Sequence, residues 1–115
     1  MTAEELSKII VKGMEEKKAS DIVVMDLRKI KNSVADFFVI CSGNSDTQME
    51  SISDSIEEQV VKAGESLPYR KEGKSGKQWI LMDYVDVVAH IFLKEKRHYY
   101  GLEELWGDAK MVQVN

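Results

Sequence analysis

The stretch Trp79-Ile80-Leu81-Met82-Asp83-Tyr84-Val85-Asp86-Val87-Val88-Ala89-His90-Ile91-Phe92-Leu93 decides the fold. Two runs rich in β-branched and aromatic residues flank a short acidic turn, which is a hairpin pattern without the usual Asn-Gly or Asp-Gly pair. Trp79, Leu81 and Asp83 fall on one face of the first strand. Ile80 and Met82 fall on the other, because side chains alternate along a strand. In the second strand Val88, His90 and Phe92 oppose Val87, Ala89 and Ile91. Both faces are mostly apolar, so each needs a cover. The chain continues Lys94-Glu95-Lys96-Arg97-His98-Tyr99-Tyr100-Gly101-Leu102-Glu103-Glu104-Leu105-Trp106, which reads as a short aromatic helix.

The segments before the hairpin supply one cover. Residues 3–17 carry Leu6, Ile9, Ile10, Gly13 and Met14 on one helical face, with Thr2 and Glu5 placed as a capping box. Residues 21–27 read as a strand, residues 28–36 as a polar connection, and Phe37-Phe38-Val39-Ile40-Cys41 as a strand buried on both sides and central in the sheet. Ser45 and Gln48 form a second capping-box pattern, ahead of a helix with the stripe Met49, Ile52, Ile56 and Val60 and a stop at Gly64. Residues 67–71 read as a short edge strand, because Pro68 lacks a ladder donor. Residues 72–77 read as a loop and residues 107–115 as a flexible tail. The expectation is one small α/β domain over residues 1–106, with a mixed sheet of about five strands packed with helices.

Composition narrows the function classes. With 115 residues, 43% hydrophobic content and a formal net charge of −4, the chain fits one domain with a modest core and is a poor ligand for bare nucleic acid. No apolar run approaches a membrane span. The acidic start, Met1-Thr2-Ala3-Glu4-Glu5, reads as neither a secretory signal nor a transit peptide, and the lone Cys41 forms no internal disulfide. A cytoplasmic location is expected.

Chemistry is sparse. Gly73-Lys74-Ser75 resembles the end of a phosphate loop, but Pro68 occupies the earlier glycine position and a strand follows instead of a helix. Cys41 precedes a helix, yet no spacing links it to a basic histidine. Asp83, Asp86, His90 and His98 show no metal-ligand spacing. Ser42-Gly43-Asn44-Ser45 resembles the Gly-Ser turn of nucleotidyltransferases, whose chemistry needs a carboxylate pair on one strand to hold magnesium. No strand carries that pair. No cofactor, metal or catalytic residue is expected. Surface recognition is left, with aromatics beside carboxylates as a docking face for a basic partner.

Three segments then resemble one family: Ala35-Asp36-Phe37-Phe38-Val39-Ile40-Cys41-Ser42-Gly43-Asn44-Ser45; Trp79 to Asp83 with Asp86 to Phe92; and Arg97 with Tyr100, Leu102, Glu103, Leu105 and Trp106. They are similar, in order, to the ribosomal silencing factor S group, also called iojap-like proteins. Val85, Ala89 and Thr47 depart from the glycine, valine and arginine usual there. The resemblance implies a nucleotidyltransferase-like fold without catalytic acids. It also implies binding to the large ribosomal subunit through its ribosomal protein fourteen, steric blocking of subunit joining, translational repression and a homodimer. Carried over by position, the partner contact falls on Trp79, Asp83, Asp86, His90, Tyr100 and Glu103. Two other readings use the same features: a divergent nucleotidyltransferase acting on nucleotide or RNA, and a dimeric adaptor for another protein.

Overall fold

The computed structural model describes residues 1–74, 78–97, 101, 103, 107 and 109–115. Helix α1 spans Ala3–Glu16, followed by strands β1 (Ser20–Asp26) and β2 (Phe37–Gly43). Helix α2 spans Asp46–Lys62, followed by β3 (Arg70–Lys74), β4 (Trp79–Asp83), β5 (Val87–Leu93) and β6 (Lys110–Gln113). The strands form one sheet in the order β3-β4-β5-β2-β1-β6. β2 and β5 run parallel, and every other neighbouring pair is antiparallel.

Local chemistry sets the helix ends. Thr2 and Glu5 close the expected capping box, each side chain bonding the other's backbone N–H at 3.1 Å. At α2, Ser45 Oγ accepts from the Gln48 N–H, but the Gln48 side chain accepts from Asn44 instead of the cap residue. Its amide nitrogen donates to the Lys17 and Lys18 carbonyls, which ties the start of α2 to the end of α1. The far end of α2 closes as a Schellman motif: Gly64 has φ +89°, and the Glu65 N–H reaches the Val60 carbonyl at 3.1 Å. The two helices touch closely at Gly13, where a Cβ would lie 2.7 Å from Ile56 Cα. The buried Ser55 hydroxyl donates to the Gly13 carbonyl across that contact.

Both helices pack on one face of the sheet. Their core joins Ile10, Met14, Met49, Ile52, Ile56 and Val60 to Val39, Cys41, Ile80, Met82 and Ile91. The opposite face gathers Val23, Met25, Phe38, Ile40, Val88 and Phe92, with Trp79 and Leu81 partly buried against them. Among the described residues it is covered by Leu27, Ile30 and Ala35 of the β1–β2 connection and by Ala109, not by either helix.

β2 is central and buried along its whole length, as its sequence predicts. Two expectations are corrected. The edge strand β3 begins at Arg70, beyond Pro68, and runs to Lys74, so Leu67 to Tyr69 fall before it and Glu72, Gly73 and Lys74 are strand and not loop. The final residues are not a tail outside the sheet. Lys110–Gln113 pair antiparallel with β1, making a sixth strand, and Asn115 accepts from the Ile22 N–H and donates to the Ala19 carbonyl. Of the short aromatic helix expected between Lys94 and Trp106, Lys94–Lys96 form a 3-10 turn, and residues 98–100, 102 and 104–106 lie outside the described residues.

Candidate partner-binding face

The face of the sheet away from the helices carries the candidate site. Strand alternation brings three pairs together across β4 and β5: Trp79 opposite Phe92, Leu81 opposite His90, and Asp83 opposite Val88. Phe38 comes alongside Val88 from β2. The result is an aromatic cluster. Phe38 meets the His90 ring edge-on with centroids 4.7 Å apart, and Trp79 lies 5.0 Å from Phe92 and 5.8 Å from His90. The Trp79 indole N–H donates to His90 Nδ1 at 3.1 Å, so the neutral imidazole carries its proton on Nε2. His90 is 3% exposed and forms the floor of the cluster instead of projecting from it.

Beside the cluster lies a groove of about 470 Å³, whose walls include Phe38, Leu81, Asp83, Val88 and His90. Three exposed apolar side chains stand at its rim beside Arg70: Tyr69 is 80%, Val34 71% and Val85 60% exposed. Asp83 accepts from the Val85 N–H at 2.8 Å and lies 3.8 Å from the Arg70 guanidinium. Asp86 is exposed, while its carbonyl accepts from the Asp36 and Phe37 N–H groups and so joins the turn to β2. The Asp86 N–H donates to the Tyr84 carbonyl across Val85, a three-residue turn that holds Val85 at φ +75°. A β-branched residue is strained in that left-handed region.

Glu103 belongs to a different constellation. Its two carboxylate oxygens accept from Arg97 Nε at 2.9 Å and Nη2 at 3.2 Å. Arg97 is only 8% exposed, and its Nη1 also donates to Ser42 Oγ and to the Asp21 carbonyl. The β1–β2 register shifts between Ser20 and Val23, and Asp21 there has φ +50°. The Glu103 carboxylate therefore already serves the fold, through an arginine to which sequence spacing assigns no role. Tyr100 lies outside the described residues. The expected set thus divides: Trp79, Asp83, Asp86 and His90 gather on the hairpin, and Glu103 is committed to Arg97.

The sequence reading does not single out Phe38, Val34 and Tyr69 as part of the site. Phe38 was open to discovery by alternation, since Phe37 must face the opposite side. Val34 and Tyr69 are lone apolar residues in polar segments, a weaker signal.

The chemical alternatives meet specific obstacles. Cys41 is fully buried on the helix side of the sheet, opposite in face to His90, and burial pushes its thiol pKa well up, away from the nucleophilic thiolate. Gly73 and Lys74 sit inside β3, paired with Ile80 and Trp79, so their backbone amides do not form a phosphate cradle at a helix start. Among the described residues no three His, Cys, Asp or Glu side chains converge as metal ligands. No helix among them is long and apolar enough to cross a membrane.

Fold and site together define a small α/β domain, helical on one face of a mixed sheet and aromatic on the other. All residues from 1 to 115 match the family model described as "Ribosomal silencing factor during starvation". Ribosomal silencing factors of Bacillus subtilis and Halalkalibacterium halodurans are each 39% identical to the chain, over 100% and 99% of it and 96% of their own length. A crystal structure from Chromobacterium violaceum superposes with a TM-score of 0.85 at 30% identity, covering 100% of this chain and 94% of that one. The chain belongs to the ribosomal silencing factor family, with chloroplastic Iojap of Zea mays a more distant relative at 32% identity.

Proposed function

We propose that the chain binds the large ribosomal subunit through ribosomal protein fourteen and sterically blocks joining of the small subunit, repressing translation. The observation that carries this reading is the helix-free sheet face, where an aromatic cluster and a groove with an exposed apolar rim lie beside Asp83 and Asp86. Aromatic walls supply the contact area on which interface affinity concentrates. The acidic turn complements a basic protein and speeds encounter. In this proposal Trp79, Asp83, Asp86, His90 and Tyr100 contact the partner. Trp79 is the aromatic wall, and His90 fixes its ring from below. Glu103 acts at one remove, by holding Arg97.

The mechanism needs occupancy and no turnover, so the chain acts without catalysis and its effect follows mass action. The same proposal includes self-association as a homodimer and a cytoplasmic site of action. Co-sedimentation of the pure chain with separated ribosomal subunits tests the reading. Recovery with the large subunit alone, competed by free ribosomal protein fourteen, is the expected result. Recovery with neither subunit, or with the small one, overturns it.

A further inference from the structure

The chain is acidic overall, yet one part of its surface reverses sign. Arg28, Lys29, Lys31 and Lys110 surround a cavity of about 450 Å³, floored in part by Ile30 and Asp26. They come from the β1–β2 connection and from β6, more than seventy residues apart in sequence, so the pairing of β6 with β1 assembles the cluster. Within it the charges are unequal. The Arg28 guanidinium is held by both Asp26 oxygens, at 3.0 and 2.7 Å, and lies 3.7 Å from Glu4. It also stacks 4.8 Å above the Phe37 ring. Lys29, Lys31 and Lys110 form no ion pair among the described residues, and all three are exposed. Three exposed lysines without a close ion pair thus line one cavity in a chain of net charge −4, with Asp26 acting on Lys110 at longer range.

The connection that carries Lys29 and Lys31 continues to Val34, which stands on the rim of the aromatic groove. The basic cavity therefore adjoins the proposed protein-binding face through one short loop. A ribosomal surface alternates protein with RNA, and a partner seated in the groove brings its surroundings against this loop.

We propose that Lys29, Lys31 and Lys110 form a second contact, which takes the phosphate backbone of the ribosomal RNA flanking the protein bound in the aromatic groove. The contact reads charge and not sequence, as lysine ammonium groups on phosphates do. It rests on the large-subunit reading above, and it divides the work: aromatics select the protein, and lysines add a salt-dependent share of affinity and orientation.

The test compares the unmodified chain with Lys29→Gln/Lys31→Gln/Lys110→Gln, and with Lys29→Gln/Lys31→Gln, which leaves β6 untouched. Affinity is measured for the intact large subunit from about 50 to about 200 mM salt, and separately for purified ribosomal protein fourteen, a range over which phosphate contacts are lost. Each phosphate contact contributes about 0.7–0.9 to the slope of log affinity against log salt, so the triple variant should flatten the slope by about 2.1–2.7 and the double by about 1.4–1.8. At the low-salt end the triple variant should bind the subunit at least tenfold more weakly, with unchanged affinity for the isolated protein. An unchanged slope in the folded variants overturns the RNA contact while leaving the protein-binding reading intact. Equal weakening toward the isolated protein also overturns it, because the lysines then face protein. Failure of the unmodified chain to bind the large subunit at any salt overturns both.

Discussion

Removing the Glu103 carboxylate should destabilise the fold more than it weakens partner binding. Arg97 is buried, and its side chain uses every nitrogen: Nε and Nη2 on Glu103, and Nη1 on Ser42 and the Asp21 carbonyl. Glu103→Ala leaves the guanidinium without its counter-charge. Breaking a buried pair from one side costs about 3–5 kcal/mol, because the surviving charge is left uncompensated. The Glu103 side chain is 33% exposed, so water reaches part of the site, and about 2–3 kcal/mol is the better figure. At about 4 °C per kcal/mol for a chain of this size, the melting temperature should fall by about 10 °C. Glu103→Gln keeps one acceptor oxygen and loses the charge, and should cost about 1 kcal/mol. Thermal unfolding followed by circular dichroism measures both, and large-subunit affinity is measured well below the transition. A melting temperature within about 2 °C of the parent, together with a tenfold loss of binding, would instead place the carboxylate on the partner.

Four further outcomes follow from the geometry. Gly13→Ala gains about 1 kcal/mol of helix propensity, but its Cβ would lie 2.7 Å from Ile56 Cα, so chemical denaturation should show a net loss of about 1–2 kcal/mol. Val85→Gly releases the strain of φ +75° at an exposed turn, worth about 1–3 kcal/mol, against about 0.5–1 kcal/mol of added unfolded-state entropy; a lowered melting temperature would contradict the strain. Trp79→Ala should weaken large-subunit binding by about 2 kcal/mol, roughly thirtyfold, and unchanged affinity of a folded variant would remove Trp79 from the interface. The Arg28 guanidinium bonded to Asp26 holds that carboxyl below the usual range, so its contribution is complete above the unfolded pKa and is lost as pH falls through the folded one. Asp26→Asn should therefore lower the melting temperature at neutral pH and flatten its decline below about pH 4.

How much of this was legible in the sequence differs by element. Helices α1 and α2 announced themselves because their apolar stripes, caps and stops are local patterns. β2 did so because five consecutive apolar residues admit no exposed face. Alternation gave the two faces of each hairpin strand, but that Trp79, Leu81 and His90 share a side needs the register that sets Leu81 opposite His90. β6 was illegible because Lys-Met-Val-Gln is short, exposed along its whole length and indistinguishable from a polar end until β1 offers an edge. β3 was displaced because its polar residues and Gly73 imitate a loop, and as an edge strand it needs no apolar face. The role of Arg97 could not be read at all: it reaches Asp21 across seventy-six residues, and no spacing rule encodes a contact of that length. For the same reason the pairing of Glu103 with Arg97 could not be read from spacing.

In the proposed function this domain silences by occupying the large subunit. This is tested most directly by mixing small subunits with large subunits pre-saturated with the chain, and following joined particles by light scattering. Joining should fall in proportion to occupancy, recover when unoccupied large subunits are added, and show no deeper effect on prolonged incubation. Normal joining on fully occupied large subunits would contradict the proposal.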